Sequence, residues 1–508
     1  MRKLLLSVAV AALLASACGS ASSTYPNQGG STVAPDHHQP TYPPPPPPPA
    51  GTPPAGVTFQ DPGTNPWVDP GRDDKSTFGL DVDTASYTIA QTYVHDGHEP
   101  DPASVRVEEW VNAFDQGYPS PEKDAFAILA DGGPTPFTAE DEVLLRIGLQ
   151  ARAVANRDRQ QAALTFVIDT SGSMEQGGRL EMVKDAMRIL IKGLDRNDRV
   201  AIVSFGSTAQ VVLGPTPADQ TGAFLDALDR LHPGGSTNVE AGLRLGYELA
   251  RRTLTENGID RIVLASDGVA NVGLTDPDSI LEAISRDAAA GIELVSVGVG
   301  MGNYNDTLLE QLADQGDGFY AYINTNDEAR KLFSEDLTST LQTVALDAKA
   351  QVAFDRENVA AYRLVGYENR AIADQSFKSD GVAAGAIGAG HAVTALYALR
   401  LRPDAGPRSH LARVTLRWTD PDRGAAVDLG RDVALSDLSR SFADTDPHFR
   451  MDAIVAETAE VLRGSEFAGR TNIRDVADVA NREDVNLPPT DQVHAFLDML
   501  ADLGRLRD

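Results

Sequence analysis

The sequence predicts an α/β protein with a central, doubly wound and mostly parallel sheet, flanked by β-rich N- and C-terminal regions and ending in helices. In residues 160–342, short and continuously apolar strands alternate with amphipathic helices, which indicates a parallel sheet covered on both faces. In the flanking regions, 73–155 and 345–508, apolar and polar residues alternate as in half-buried strands, and the final part has helical periodicity.

The N-terminal segment, residues 1–18, is typical of a secretory signal peptide. A basic start precedes an apolar run, Leu4–Leu14, that is too short to span a bilayer. The run ends in "LASAC", which resembles a bacterial lipoprotein signal with Cys18 as the lipidated residue. We therefore expect a lipid anchor in the cell membrane or outer membrane, facing the extracytoplasmic side. The alternative is an ordinary signal peptide with a chance cysteine.

Residues 19–72 predict a disordered, proline-rich linker. The seven consecutive prolines Pro43–Pro49 form a polyproline II rod of about 20 Å. Glycine and serine on either side indicate a spacer that lifts the folded body away from a membrane. A proline-rich ligand for a recognition domain is the alternative, which an extracytoplasmic location disfavours.

The N-terminal flank predicts strands and two helices. "TFGLDVDT" turns Phe78, Leu80 and Val82 inward, as in a half-buried strand. A helix is expected from Ala85 to about His95, and another around "VEEWVNAF". "FAILADG" and "EVLLRIGLQAR" predict strands. One face of the second of these strands carries Val143, Leu145, Ile147 and Leu149.

The central segment predicts strands at "LTFVID", "RVAIVSF", "RIVLAS" and "IELVSVGVG". The helix expected after Ser173 has one apolar stripe, made of Leu180, Val183, Met187, Leu190, Ile191 and Leu194. The helix expected from Asn238 has a second stripe, made of Val239, Leu243, Tyr247, Ala250 and Leu254. The "GVGMGN" stretch at 298–303 is better explained by a tight turn than by a dinucleotide-binding loop.

The C-terminal region predicts antiparallel strands at "KAQVAF", "YRLVGYEN", "HAVTALYALRL" and "LARVTLRW", and a loop at "DGVAAGAIGAG". The inward face of the fourth strand carries Ala412, Val414, Leu416 and Trp418. Helices are expected at "FRMDAIVAETAEVLRG", "NIRDVADVAN" and "TDQVHAFLDMLADLGRL". Because domain termini often lie close together, we expect both flanks to form one β-rich body that carries the central segment as an insertion.

Polar side chains follow the first strand of the central segment in a D-x-S-x-S pattern. Ligands bind beyond the carboxyl ends of strands in open parallel sheets, and alternate residues of an extended segment point the same way. The oxygens of Asp169, Ser171 and Ser173 should therefore converge. Thr237 in a glycine-rich turn and Asp267 after another strand offer two further oxygen donors. Such donors suit a hard cation, Mg²⁺ first with Mn²⁺ or Ca²⁺ as alternatives, better than Zn²⁺.

This constellation resembles the metal-ion-dependent adhesion site of the von Willebrand factor type A (VWA) domain, whose fold is Rossmann-like. That site consists of D-x-S-x-S, then a threonine, then an aspartate in an "SDG"-type turn. The resemblance implies that Ser171, Ser173 and Thr237 contact the cation through hydroxyls, while Asp169 and Asp267 hold its waters. Taken singly, each residue is more commonly a helix cap or turn residue, and the five together favour the metal site.

The flanks resemble those of a bacterial cell-envelope subgroup of VWA proteins, in the stretches 76–119 and 360–400. Neutral hydroxyl ligands leave a divalent cation under-neutralised, so that a carboxylate from outside binds it well. We therefore expect an envelope-tethered binding module, not an enzyme, that captures an acidic group of a protein or carboxylate-bearing polymer. The formal net charge of −29 argues against nucleic acid as a partner.

Two alternatives stay open at this point. The first is a metal-assisted, phosphatase-like hydrolase, although a second strand-end acid is missing because Ser171 occupies its place. Neither G-x-S-x-G, H-E-x-x-H nor a P-loop motif is present. The second alternative is an envelope scaffold whose metal site is vestigial and whose flanks make the contacts.

Overall fold

The fold is described from a computed structural model of the chain. It covers residues 59, 61, 63–80, 84–139, 141–154, 159–255, 258–267, 277–300, 306–333, 342–379 and 387–507. The signal segment with Cys18, most of the linker, Val82 and most of "DGVAAGAIGAG" lie outside the described residues. None of the helices in the described ranges has the length and apolar content needed to cross a membrane.

Strands and helices are numbered here along the chain. The strands are β1 (Lys75–Gly79), β2 (Phe126–Gly133), β3 (Glu142–Ala151), β4 (Ala162–Asp169), β5 (Arg199–Phe205), β6 (Ala209–Pro217), β7 (Ile259–Ser266), β8 (Ile292–Val299), β9 (Tyr320–Ile323), β10 (Thr343–Phe354), β11 (Val359–Val365), β12 (Ile387–Gly388), β13 (Ala392–Leu401), β14 (His410–Asp420) and β15 (Ala425–Ala434). The α-helices are α1 (Ala85–His95), α2 (Val107–Asn112), α3 (Arg179–Gly193), α4 (Thr221–Asp229), α5 (Val239–Arg251), α6 (Pro277–Ala288), α7 (Asp306–Gln315), α8 (Asn326–Lys331), α9 (Pro447–Leu462), α10 (Ile473–Glu483) and α11 (Asp491–Leu506).

The central sheet has the strand order β6-β5-β4-β7-β8-β9, and its pairs are parallel except for β5 with β6. Phe166 of β4 packs on one face with α3, whereas Val167 packs on the other face with α5. All eight residues of β4 are buried, which explains its continuous apolar run. The predicted doubly wound, mostly parallel VWA-type sheet is confirmed.

The two flanks share two antiparallel sheets that pack face to face. One sheet has the order β1-β10-β14-β15 with β12 also paired to β10, and the other has the order β11-β13-β3-β2. Strands from before the central segment thus pair with strands that follow it, β1 with β10 and β3 with β13. This pairing joins the two flanks into one β-rich body, as the sequence led us to expect. Its core includes Phe126 against Trp418, with ring centroids 5.1 Å apart.

Helices α2, α9, α10 and α11 cover the outer face of the second sheet. Trp110, Phe449 and Phe496 are fully buried between these helices and the sheet. Because of this cover, β3 is buried on both faces, and Leu144 contacts the helical layer. The predicted apolar face of β3 packs into the core between the two sheets, where Leu145, Ile147 and Leu149 are buried and Val143 is partly buried.

The structure also differs from the sequence-based expectations at several boundaries. A kinked 3₁₀ segment, Gly172–Gly178, contains Ser173 and lies between Ser171 and α3, which begins only at Arg179. Leu254 lies beyond the end of α5 and is exposed, so it does not extend the apolar stripe. Strands β6 and β15 were not predicted, because both are edge strands with few buried residues and lack a continuous apolar run.

Candidate metal-ion site

Asp169 is the last residue of β4 and is fully buried at the carboxyl edge of the central sheet. The Ser266 hydroxyl, at the end of neighbouring β7, donates to Asp169 Oδ2 at 2.6 Å. The Ser171 amide donates to Asp169 Oδ1 at 2.7 Å. Both carboxylate oxygens are therefore held by the chain itself. Burial raises the pKa of Asp169 to about 6, and the hydrogen bonds from Ser266 and Ser171 oppose that rise.

The two serines and Asp267 form a row of oxygens beside Asp169. Ser171 Oγ lies 3.0 Å from Ser173 Oγ, and Ser173 Oγ donates to Asp267 Oδ1 at 2.9 Å. Asp267 follows directly after β7, so parallel pairing of β4 with β7 brings these groups to one edge. Ser171 is 1% exposed, whereas Ser173 is partly exposed, so the row runs from the interior toward the surface.

Thr237 lies in the loop before α5 and is buried. Two backbone hydrogen bonds tie this loop to the D-x-S-x-S segment, from the Gly172 amide to the Gly235 carbonyl at 3.0 Å and from the Gly234 amide to the Thr170 carbonyl at 2.7 Å. The structure thus places Thr237 at the same edge. The other four predicted ligands also lie in the described part of the chain, and none of them makes a hydrogen bond with the Thr237 hydroxyl.

The donor set fits a hard divalent cation. It offers two carboxylates and three hydroxyls, all oxygen donors, which Mg²⁺, Mn²⁺ and Ca²⁺ prefer. The described residues contain no cluster of three or more His, Cys, Asp or Glu side chains able to hold a metal ion. A cation at this edge would therefore need the serine and threonine hydroxyls as ligands.

Arg179 is a site residue that sequence reasoning missed. Its Nη1 donates to Asp267 Oδ2 at 2.8 Å, and the two side chains are only 10% and 4% exposed. A cation in the first turn of a helix is disfavoured by the helix dipole. From the sequence this helix is expected directly after Ser173, which would put Arg179 in its second turn, so the unfavourable position of Arg179 becomes visible only in the structure.

Gly300, just past the end of β8, makes room for Arg179. Its φ is 74°, and a Cβ atom there would lie 2.2 Å from Arg179 Nε. No side chain larger than hydrogen fits without moving the guanidinium. The first part of "GVGMGN" therefore forms a wall of the site, while residues 301–305 lie outside the described part of the chain.

Comparisons with known proteins agree with this architecture. The family "von Willebrand factor type A domain" matches residues 164–269, "von Willebrand factor" matches 54–146, and "Uncharacterized protein YfbK, C-terminal" matches 339–504. YfbK of Escherichia coli K12 is 33% identical over 461 residues, which cover 85% of this chain and 79% of YfbK.

Two further matches are shorter or more distant. Protein sll0103 of Synechocystis is 30% identical over 212 residues, covering 42% of this chain and 49% of that protein. A solved structure, the von Willebrand factor type A protein from Catenulispora acidiphila, is 18% identical and covers 73% of this chain and 89% of that chain, with a TM-score of 0.44. On the extent of the YfbK match, the chain belongs to the YfbK family and combines a VWA domain with a YfbK-type C-terminal region.

Proposed function

We propose that this protein is a metal-ion-dependent binding module that captures a carboxylate of its partner at the edge of the VWA sheet. The observation that carries the proposal is the hydrogen-bonded row of Ser171, Ser173 and Asp267 oxygens beside a fixed Asp169. A VWA domain is a protein-interaction module and is often metal-dependent, which supports this use of the site.

The five predicted ligands have two roles, which follow from their charge. Ser171, Ser173 and Thr237 would hold the cation through neutral hydroxyls, and Asp169 and Asp267 would hold its waters. A cation bound there supplies positive charge that the neutral hydroxyls do not cancel, and an outside carboxylate can satisfy it. Ser173 is partly exposed, whereas the other four predicted ligands are buried. A partner can therefore approach the site from the side of Ser173.

The cellular location of the protein is part of the same proposal. Lipidation of Cys18 would anchor the chain in the cell membrane or outer membrane, and linker 19–72 would hold the VWA domain away from it. The partner is then a protein or a carboxylate-bearing polymer of the cell envelope. The acidic surface does not prevent this, because salt screens exposed charges beyond about 8 Å.

Titration calorimetry with Mg²⁺ tests the metal site. The full chain should bind Mg²⁺, and Ser173→Ala should weaken binding at least tenfold because one hydroxyl ligand is lost. Asp219→Ala, at an exposed position outside the site, is the matched control and should bind as the wild type does. Wild-type protein that binds neither Mg²⁺, Mn²⁺ nor Ca²⁺ would contradict the proposal and favour a scaffold.

Two further measurements separate binding from catalysis. Partners recovered from an envelope extract should be lost on chelation and in Ser173→Ala, and the same set recovered with and without Mg²⁺ would count against capture by the cation. Mg²⁺-dependent hydrolysis of p-nitrophenyl phosphate that disappears in Ser173→Ala would instead favour the hydrolase alternative.

A further inference from the structure

Asp267 has two hydrogen-bond partners, one at each of its carboxylate oxygens. Its Oδ1 accepts from the Ser173 hydroxyl at 2.9 Å, and its Oδ2 accepts from Arg179 Nη1 at 2.8 Å. The Arg179–Asp267 pair is largely removed from solvent. Because buried charges are screened less by salt than exposed ones, the guanidinium acts more strongly on this carboxylate and its immediate surroundings than a surface charge would.

Two local preferences oppose an arginine at this position. Arg179 is the first residue of α3, where the helix dipole disfavours positive charge. Its side chain also needs a residue without a side chain at position 300, since any Cβ there would collide with its Nε. The ion pair with Asp267 offsets both unfavourable effects. The role of Arg179 should therefore lie in its effect on Asp267.

The formal charges of the site show what that role is. Asp169 and Asp267 contribute two negative charges and Arg179 one positive charge, so the site carries −1 before a cation binds. A divalent cation brings it to +1, which an external carboxylate neutralises. Without Arg179, the same site would carry −2, and a divalent cation would bring it to zero, so that the bound cation would attract a partner's carboxylate less strongly.

We propose that Arg179 is a positioning and specificity-determining residue. Its pairing with Asp267 weakens binding of the cation, and its positive charge strengthens the capture of a carboxylate by the bound cation. This inference rests on the proposed metal-dependent function. Arg179 holds Asp267 Oδ2 away from the cation, so that Asp267 acts through Oδ1 and the Ser173 hydroxyl. The ligand class it selects is an anionic carboxylate rather than a neutral oxygen donor.

The test compares Arg179→Gln with the wild type in two measurements. Calorimetry gives the affinity for Mg²⁺ alone, and retention on a carboxymethyl-dextran surface at saturating Mg²⁺, against unmodified dextran, gives carboxylate capture. Arg179→Gln should bind Mg²⁺ at least threefold more tightly and lose at least fivefold in retention. A merely structural role would weaken both together.

Three further variants complete the design. Arg179→Lys keeps the charge and should retain wild-type retention within twofold. Arg188→Gln removes a charge from a partly exposed, ion-paired position of the same helix, outside the site, and should change neither measurement. Arg179→Met, which keeps the apolar stem, replaces Arg179→Gln if circular dichroism shows that the glutamine variant is unfolded.

The outcomes distinguish this inference from the function on which it rests. Wild-type protein that binds no divalent cation overturns the proposed function itself. Wild-type protein that binds Mg²⁺, with Arg179→Gln binding it equally or more weakly, overturns only the role of Arg179. Tighter Mg²⁺ binding with unchanged retention also overturns it, because the charge would then not select the partner.

Discussion

Asp169 is oriented by the register of the central sheet. Ile168 of β4 pairs with Ala265 of β7, which places the next residues, Asp169 and Ser266, side by side. The Ser266 hydroxyl therefore reaches Asp169 Oδ2, and the other oxygen takes the Ser171 amide. Positioning by the sheet, rather than by a flexible loop, gives the site a preformed acidic group.

Ser266→Ala should weaken Mg²⁺ binding about threefold to tenfold without abolishing it. The loss of a hydrogen bond of about 1 kcal/mol frees Asp169 Oδ2 to rotate away from its present orientation. Calorimetry measures the effect. Ser296→Ala is the matched control, because Ser296 is fully buried on neighbouring β8 and its hydroxyl has no hydrogen-bond partner in the described structure. Equal Mg²⁺ affinity in the two variants would show that the Ser266 contact is unimportant.

The residues that lie at strand ends could be predicted, and Arg179 could not. Alternation along an extended segment and the shared edge of parallel strands place Asp169, Ser171 and Asp267 together, which the sequence pattern reveals. The contact of Arg179 depends instead on the kinked path through Gly177 and Gly178, both with positive φ. Residue spacing carries no information about such a path.

At the scale of elements, the strands with the clearest sequence signal are those that are buried on both faces. β5 and β7 of the central sheet, like β4, have continuous apolar runs, and their observed bounds agree with prediction to within a few residues. β6 and β15 lie at sheet edges, where exposed positions accept polar residues and the apolar pattern is weak. The register between the two flanks is equally hidden, because partners such as Gly148 and Thr394 are far apart in sequence.

The turn after β8 connects an element to the site, and Gly300→Ala tests this connection. Alanine at φ 74° is strained, and its Cβ would displace the Arg179 guanidinium. We expect a loss of more than about 1 kcal/mol in the free energy of unfolding, together with tighter Mg²⁺ binding, as in Arg179→Gln. Urea denaturation and calorimetry measure the two effects.

Gly291→Ala is the control for backbone strain alone. Gly291 also has a positive φ, 91°, but no atom lies within 4 Å of the position of its Cβ. It should lose stability without a change in Mg²⁺ affinity. If the two glycine variants behave alike in both measurements, Gly300 contributes only its backbone conformation.

At the scale of the whole molecule, the ion pairs of one buried arginine, Arg146, link the two flanks. Arg146 of β3 contacts Asp131 of β2 at 2.6 Å and Asp452 of α9 at 3.0 Å. Gln116 donates to the other oxygen of Asp452 at 2.8 Å, so this fully buried acid is paired on both sides. Such a network links segments that precede and follow the VWA domain, and losing one partner leaves a buried charge uncompensated.

A cavity of about 440 Å³ lies between the VWA domain and the flanks, and its lining is acidic. Asp260, Glu293, Asp317 and Asp422 line it, together with the amide side chain of Gln342. Burial, followed by the charges of Asp347 and Glu293, raises the pKa of Asp317 to about 6. Ionised Asp317 is thus a source of instability at neutral pH.

The pH dependence of stability follows from this shift. The unfolded chain loses the Asp317 proton near pH 3.8, whereas the folded chain keeps it to about pH 6. Between these values the folded state binds more protons, so stability falls as pH rises, and the full penalty is present above pH 6.

Asp317→Asn removes the charge and tolerates the left-handed φ of 49°. It should therefore raise the free energy of unfolding by about 2 kcal/mol at pH 7.5 and leave it nearly unchanged at pH 4. Urea denaturation at both pH values measures this, with exposed Asp219→Asn as the control. A gain that is the same at both pH values would mean that the charge of Asp317 is not its cause, and a loss at pH 7.5 would mean that the carboxylate is stabilised where it lies.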